Sequence, residues 1–387
     1  MRSINVYSDN NKSEVRNGHP YWIWESLQAI PDLLSICLES EVQDKVQEIC
    51  DQIAEKNIEK VFLTGRGSSY FLTLALRYVF NRYTALTTQC MVSSVFMEYP
   101  PNDLDNKSAV FIISASGKSE GDLAVMDFAN KRGAYTIAVT DVADSPLAGA
   151  VDAVLIGPGG AKRELPATRS YATALFRMTW LGIELGKKLG KNKEADERSH
   201  SLQNLPQYAR ELMDAYERQA GNVAERLQNC RVFYVLAYGP NYTNAEEFAM
   251  ALNQSTGIPS IGYEMENFIH GPMQALTADE GVFLLAPEGE PQDRMLRLTQ
   301  AINTIGATTM LLGSKEAQDR AQADLFVEMS ADFSEEITPV LYMIPLWQTA
   351  YHLGQLKNYI HPDRLSMVKP EFVEGLSKLM SKDKWVK

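Results

Sequence analysis

The sequence predicts an α/β protein made of two tandem doubly wound parallel sheets with flanking helices. Continuous apolar runs of four to six residues alternate with helix-patterned segments, which is how strands buried on both faces of a parallel sheet read. The runs also come in two matching sets. Val61-Phe62-Leu63-Thr64-Gly65 pairs with Val232-Phe233-Tyr234-Val235-Leu236, and Ala109–Ser114 with Gly281–Ala286. Gly133–Ile137 pairs with Gly306–Met310, and Asp152–Ile156 with Asp324–Val327. The offsets stay between 171 and 173, a single register that predicts a duplicated unit.

The other segments fit around this frame. Residues 14–57 read as amphipathic helices, with 1–45 an N-terminal helical segment and 46–200 the first domain. Ala172–Lys191 reads as a helix and Lys191–Ser199 as a polar loop. Ser201–Leu227 reads as a second helix, so 201–228 connects the halves and 229–362 is the second domain. Pro362 and Pro370 precede a charged end, which makes 363–387 a mobile or docking tail.

A chain of 387 residues with 45% hydrophobic and 22% charged content has material for two packed domains. Its formal net charge of −12 disfavours nucleic acid and anionic membrane as partners. Cys37, Cys50, Cys90 and Cys230 show no metal-type or disulfide-framework spacing, and read as buried thiols of a reducing cytoplasm. No apolar stretch approaches the roughly 18 residues of a membrane span. The expectation is a soluble cytoplasmic protein with no metal or cofactor.

In open α/β sheets, ligands sit beyond the carboxyl ends of the strands, so the strand-to-helix loops are the places for chemistry. Gly65-Arg66-Gly67-Ser68-Ser69-Tyr70 is not a dinucleotide fingerprint, because the third glycine of that pattern falls at Tyr70. It reads either as a tight turn with a serine N-cap or as a close backbone approach to a ligand. Ser114-Ala115-Ser116-Gly117-Lys118-Ser119 contains Gly-Lys-Ser, but a P-loop needs glycine where Ile112 stands. Capping the helix expected at Glu120–Lys131 takes one serine, not three. Neutral hydroxyl donors at a helix start suit a phosphate monoester. The second copy has Ala286-Pro287-Glu288-Gly289-Glu290 there, whose carboxylates repel phosphate, so only the first copy is expected to hold it. In Tyr263–Pro272, His270 lies in a loop with Glu264 and Glu266 just upstream, and a histidine can move protons at neutral pH.

Together, Gly67-Ser68-Ser69-Tyr70, the Ser114–Ser119 loop and His270-Gly271-Pro272 resemble the sugar isomerase (SIS) domain family. The likeness is to its double-SIS members, related to the isomerase half of glucosamine-6-phosphate synthase and to fructosamine-6-phosphate deglycases. It runs from about Lys45 to Lys369. It implies that Ser69, Ser114, Ser116 and Ser119, with Ser68 beside them, hold a sugar phosphate. Glu164–Ser170, with Ala167 at its centre, looks like a shortened form of the segment that closes over the sugar. His270 matches the ring-opening histidine, which in relatives enters from the partner subunit of a dimer, and Lys369 resembles a C-terminal lysine that reaches the sugar.

Three positions depart from that pattern: Gln254 stands for the glutamate sixteen residues before the histidine, Ala115 for a glutamine and Asn267 for a glutamate. An amide cannot take a carbon-bound proton as a carboxylate can. The resemblance therefore implies a cofactor-free isomerase, deglycase or deaminase acting on a hexosamine 6-phosphate or fructosamine 6-phosphate as a homodimer. His270, Gln254, Lys369 and a displaced base, Glu266 or Glu264, would surround the sugar, with Glu247 a further option. The alternative is a phosphosugar sensor that has lost its base. The chain is not expected to be an amidotransferase, which needs an N-terminal nucleophilic cysteine where Met1-Arg2-Ser3 stands, nor a SIS-type transcription factor, which needs a helix-turn-helix segment and a basic face.

Overall fold

The computed structural model describes residues 16–160, 166–190, 194–330, 332–358, 371, 374 and 375. Three helices open the chain: α1 (Trp22–Gln28), α2 (Ile30–Ile36) and α3 (Ser40–Glu55). The first half follows as β1 (Lys60–Gly65), α4 (Ser68–Tyr83), β2 (Thr87–Val92), α5 (Ser93–Glu98), β3 (Ser108–Ile113), α6 (Glu120–Lys131), β4 (Tyr135–Thr140) and β5 (Ala153–Ile156). Two long helices, α7 (Arg169–Lys188) and α8 (Ala195–Leu227), lead to the second half. That half contains β6 (Val232–Ala237), α9 (Tyr242–Thr256), β7 (Ser260–Glu264), α10 (Met265–Ile269), β8 (Glu280–Ala286), α11 (Gln292–Ile305), β9 (Thr308–Gly313), α12 (Lys315–Ala321), β10 (Leu325–Glu328) and α13 (Thr338–Lys357).

All strand pairs are parallel, and both sheets have one topology: β2-β1-β3-β4-β5, and β7-β6-β8-β9-β10. The doubly wound fold is thus present twice. The register corrects one pairing by a residue. Phe62 lies beside Val110 as Tyr234 lies beside Val282, so Tyr234, not Phe233, is the counterpart of Phe62. Helix α8 begins at Ala195, absorbing part of the expected Lys191–Ser199 loop.

Side chains alternate across each strand and divide the core into three. Phe62, Val110 and Ile112 face outward onto Phe96 of α5 and Val125 of α6. Tyr234, Leu236 and Leu284 face outward onto Phe268 of α10 and Met295 of α11. Val61, Leu63 and Phe111 from the first sheet, and Val235, Phe283 and Leu285 from the second, face inward onto one cluster with α7, α8, α9 and α13. The two halves therefore share a central core. Polar contacts cross it too: the Tyr171 hydroxyl lies 3.1 Å from Thr243 Oγ1, and Thr243 donates to the Phe71 carbonyl.

Cys37 and Cys50 are buried as expected, whereas Cys90 and Cys230 are only partly so. Among the described residues, no helix is long and apolar enough to cross a membrane.

Candidate functional site

The order β2-β1-β3 creates a switch point. The chain leaves β1 toward one side and β3 toward the other, so the loops after these strands diverge and open a crevice. A cavity of about 150 Å³ lies there. Its lining includes Arg66, Ser68 and Ser69 after β1, Ala115 after β3, Asp141 after β4, and Ala167, Ser170 and Arg177 leading into and along α7.

The turn before α4 is not serine-capped. Gly67, at φ 54°, occupies the N-cap, and Ser68 and Ser69 are the first helical residues. Of the two readings the sequence left open, the serine N-cap is not the one adopted, and both residues line the cavity.

The second loop is held rigidly from β4. Ser114 N–H donates to Val139 O at 2.9 Å, Asp141 N–H to Ala115 O at 3.0 Å, and Leu147 N–H to Gly117 O at 3.1 Å. Gly117 has φ 61°, and a Cβ there would collide with the Ser145 side chain, so glycine is required by both conformation and space. Helix α6 begins at Glu120 with Ser119 as its N-cap residue, but the Ser119 side chain caps nothing. Its Oγ instead accepts from Arg66 Nε at 3.0 Å and from Arg66 Nη2.

Arg66 is the residue that the motifs alone do not single out. It bridges the two loops and supplies a cation at an N-terminus whose first turn already carries Glu120 and the buried Asp122, the latter accepting from Ser93 Oγ at 2.6 Å. Ser114, Ser116 and Ser119 do not themselves line the cavity; their loop reaches it through Ala115 and through Arg66. Ser116 is exposed, and its Oγ accepts from Lys118 N–H at 3.4 Å.

Arg177 was also missed. It stands in the apolar run Ala172–Leu185, and a single cation there was the available signal.

The corresponding crevice of the second sheet is filled by the chain. Tyr238, 2% exposed, donates its hydroxyl to Pro287 O at 2.5 Å. Glu335 Oε1 lies 2.5 Å from where a Cβ on Gly239 would be, and Oε2 3.2 Å from one on Gly289. Desolvation, with Glu336 adding repulsion, pushes the Glu335 carboxyl up to about 7.

Of the expected catalytic residues, His270, Glu266 and Gln254 lie on the second half, and none of the three lines the cavity. His270 lies in the turn that follows α10, as its C-cap residue, and its side chain is 76% exposed. Its Nε2 is 3.7 Å from Glu266 Oε2, and Glu266 is in turn held by Arg294, with Nη2 2.7 Å from Oε2. Glu264 serves as the α10 N-cap, accepting from Glu266 N–H at 2.9 Å and Asn267 N–H at 3.2 Å. Gln254, near the end of α9, is half-buried, and its Oε1 has no hydrogen-bond partner among the described residues. Glu247 lies in the middle of α9, buried in the core, rather than at the exposed first turn expected of a helix-dipole residue. Lys369 and Glu164 lie outside the described residues. Among the described residues, no group of three or more His, Cys, Asp or Glu gathers to hold a metal ion.

Residues 53–183 match the family model of the SIS domain. The chain is 27% identical over 342 residues to a glutamine–fructose-6-phosphate aminotransferase (isomerizing) of Thermococcus kodakarensis, covering 88% of this chain and 56% of that protein. It therefore spans about half the length of the curated relatives it matches. Among solved structures, the C-terminal domain of glucosamine-fructose-6-phosphate aminotransferase from Francisella tularensis superposes with a TM-score of 0.79 at 18% identity, covering 89% of this chain and 98% of that one. Glucosamine-6-phosphate deaminase from Thermotoga maritima superposes at 0.71 and 21% identity, covering 90% and 98%. At such identities these superpositions speak for the fold. The resemblance read from the three motifs is borne out for the first half, where residues 53–183 match the SIS domain, and the second half repeats the same five-stranded topology.

Proposed function

We propose that the chain binds a sugar phosphate in the crevice of its first SIS domain and processes it, as an aldose–ketose isomerase or as a deglycase or deaminase of a hexosamine 6-phosphate or fructosamine 6-phosphate. The observation that carries this reading is the asymmetry of the two crevices. One is a cavity with Ser68, Ser69 and Arg66 on its walls; the other is stoppered by Tyr238 and Glu335. The phosphate would sit between the Ser114–Ser119 loop and Arg66, receiving neutral donors from the serines and a charge-assisted bond from the guanidinium.

The exposed His270 supports a homodimer in which it reaches the partner's crevice, since it does not line its own. There its imidazole would pass a proton to the ring oxygen as the C1–O5 bond breaks and the anomeric hydroxyl gives up its own proton in return, opening the ring to the C1 carbonyl. A carboxylate would then take the proton from C2 and return it to C1 while the O2 proton moves to O1, so that isomerisation gains and loses no atoms. In the deglycase version the transfer runs the other way, from C1 to C2 while the amine N–H proton passes to O2; water then adds at the C1 imine so formed and the amine departs, leaving the aldose 6-phosphate. Glu266 is the base this reading favours, because it stands beside His270. Gln254, lacking a partner for Oε1, would accept a sugar hydroxyl.

A sensor reading is favoured by a specific observation: Glu264 is committed to a helix cap, Glu266 to Arg294, and Gln254 cannot serve as base. The two readings separate on incubation with hexose 6-phosphates and 6-phosphofructosamines, read by mass spectrometry and thermal shift. Turnover that is lost in Glu266→Gln with binding retained is expected. Stabilisation by several sugars without product would establish the sensor instead.

A further inference from the structure

The cavity carries its two arginines at different levels. Arg66 is half-buried at the mouth, tied to Ser119. Arg177 lies two turns into α7, on the face it shares with Ser170 and Ala174, and is 0% exposed. None of its Nε, Nη1 and Nη2 atoms has an oxygen or nitrogen acceptor within hydrogen-bond distance among the described residues, the Cys37 sulfur being the one weak acceptor beside it. Asp141 Oδ1 is 3.6 Å from Nη2, close enough to balance the charge and too far to accept a hydrogen bond. The Cys37 thiol nearby is pushed up to about 11 by burial, so it stays neutral.

A guanidinium offers five donors, and leaving them unused in the interior is strongly unfavourable. The fold nevertheless makes room for it. A Cβ on Gly157 would overlap both the Asp141 carboxylate and the Arg177 guanidinium. The small side chains of Ala115, Ala167 and Ala174 border the cavity that leads to it. At about 150 Å³ that space exceeds the roughly 30 Å³ share of a single water several-fold.

Resting on the sugar-phosphate reading, we infer that Arg177 is a specificity residue for the far end of the ligand: it donates to the C1 and C2 oxygens of an open-chain sugar whose phosphate is held at the mouth. Donors without acceptors call for an acceptor-rich group, and a planar guanidinium fits two neighbouring oxygens. Asp141 beside it would accept from an adjacent hydroxyl. A carbonyl flanked by a hydroxyl, the acyclic form of an aldose or ketose, satisfies both side chains. The enediolate formed during isomerisation, with negative charge on those same oxygens, satisfies Arg177 better still.

Two five-carbon probes isolate this contact. In 5-phosphoarabinonate a carboxylate places two coplanar anionic oxygens opposite the phosphate; in arabinitol 5-phosphate a hydroxymethyl group stands there. Calorimetry on the full-length protein is expected to show the first binding at least about tenfold more tightly. Arg177→Met should bring the two within about threefold while leaving the arabinitol 5-phosphate affinity nearly unchanged, and Arg177→Lys should recover part of the ratio. If wild-type protein binds both equally, the inference is overturned and the phosphate reading survives. If it binds neither probe, nor inorganic phosphate, the phosphate reading fails first. Because the wild-type ratio decides the matter alone, a variant that does not fold leaves the test intact.

Discussion

Replacing Arg66 by methionine keeps most of the side-chain volume and removes the guanidinium that joins the two loops of the crevice. A charge-assisted hydrogen bond to phosphate contributes about 1.5–3 kcal/mol. With about 1.4 kcal/mol to each factor of ten, the dissociation constant for fructose 6-phosphate should rise by about 10- to 150-fold. Glu120 and Asp122 in the first turn of α6 push the effect toward the upper end, since their charge at that helix start is left with less countercharge. Stability should change little. Among the described residues the substitution breaks the pairing with Ser119, worth about 1 kcal/mol, which in a chain of 387 residues corresponds to roughly 1–2 °C in Tm. Titration calorimetry at low and moderate salt, with melting curves of the free proteins, measures both quantities. An affinity within threefold of wild type would remove Arg66 from the phosphate site. A fall of roughly 8 °C or more in Tm would make it a structural residue and refute the reasoning from the other side.

Two further outcomes follow from the same geometry. Gly117→Ala forces a side chain into a left-handed backbone position and against Ser145, at a cost of at least about 1–2 kcal/mol. It should weaken sugar-phosphate binding more than Gly133→Ala, whose positive-φ glycine lies at the opposite end of the sheet, as thermal shift with and without ligand can compare. Glu335 has a folded pKa raised from 4.5 to about 7, so the folded protein binds this proton more tightly than the unfolded chain, and its contribution to stability falls as pH rises through that window. At 1.36 kcal/mol per unit, and discounted for partial exposure, the ionised group costs on the order of 1–3 kcal/mol above pH 7. Glu335→Gln should therefore gain more in Tm, relative to wild type, at pH 8 than at pH 5; an equal difference at both would contradict this.

The interior strands were legible because burial on both faces leaves nothing to interrupt the apolar run, as in Ala109–Ile113. Of the edge strands, β5 and β10 were legible as short apolar runs, but β2 and β7 were not. Thr87–Val92 and Ser260–Glu264 are half-exposed, carry polar residues and match no simple period. In the site, Ser68, Ser69 and the glycine turns could be read locally, since strand-to-helix loops announce themselves. Arg66 sits inside a recognisable motif without a role of its own there, because its role depends on Ser119, 53 residues away. Arg177 was hidden for a related reason: helical periodicity places it on a buried face but cannot say that the face borders a cavity. Glu264 and Glu266 looked interchangeable as bases until a helix cap and Arg294 distinguished them.

The plug of Tyr238 and Glu335 has a consequence for how such a protein can respond to its ligand. On the proposed reading the two crevices of one polypeptide are not a pair of like sites, so a sigmoidal titration would point to coupling between chains rather than within one.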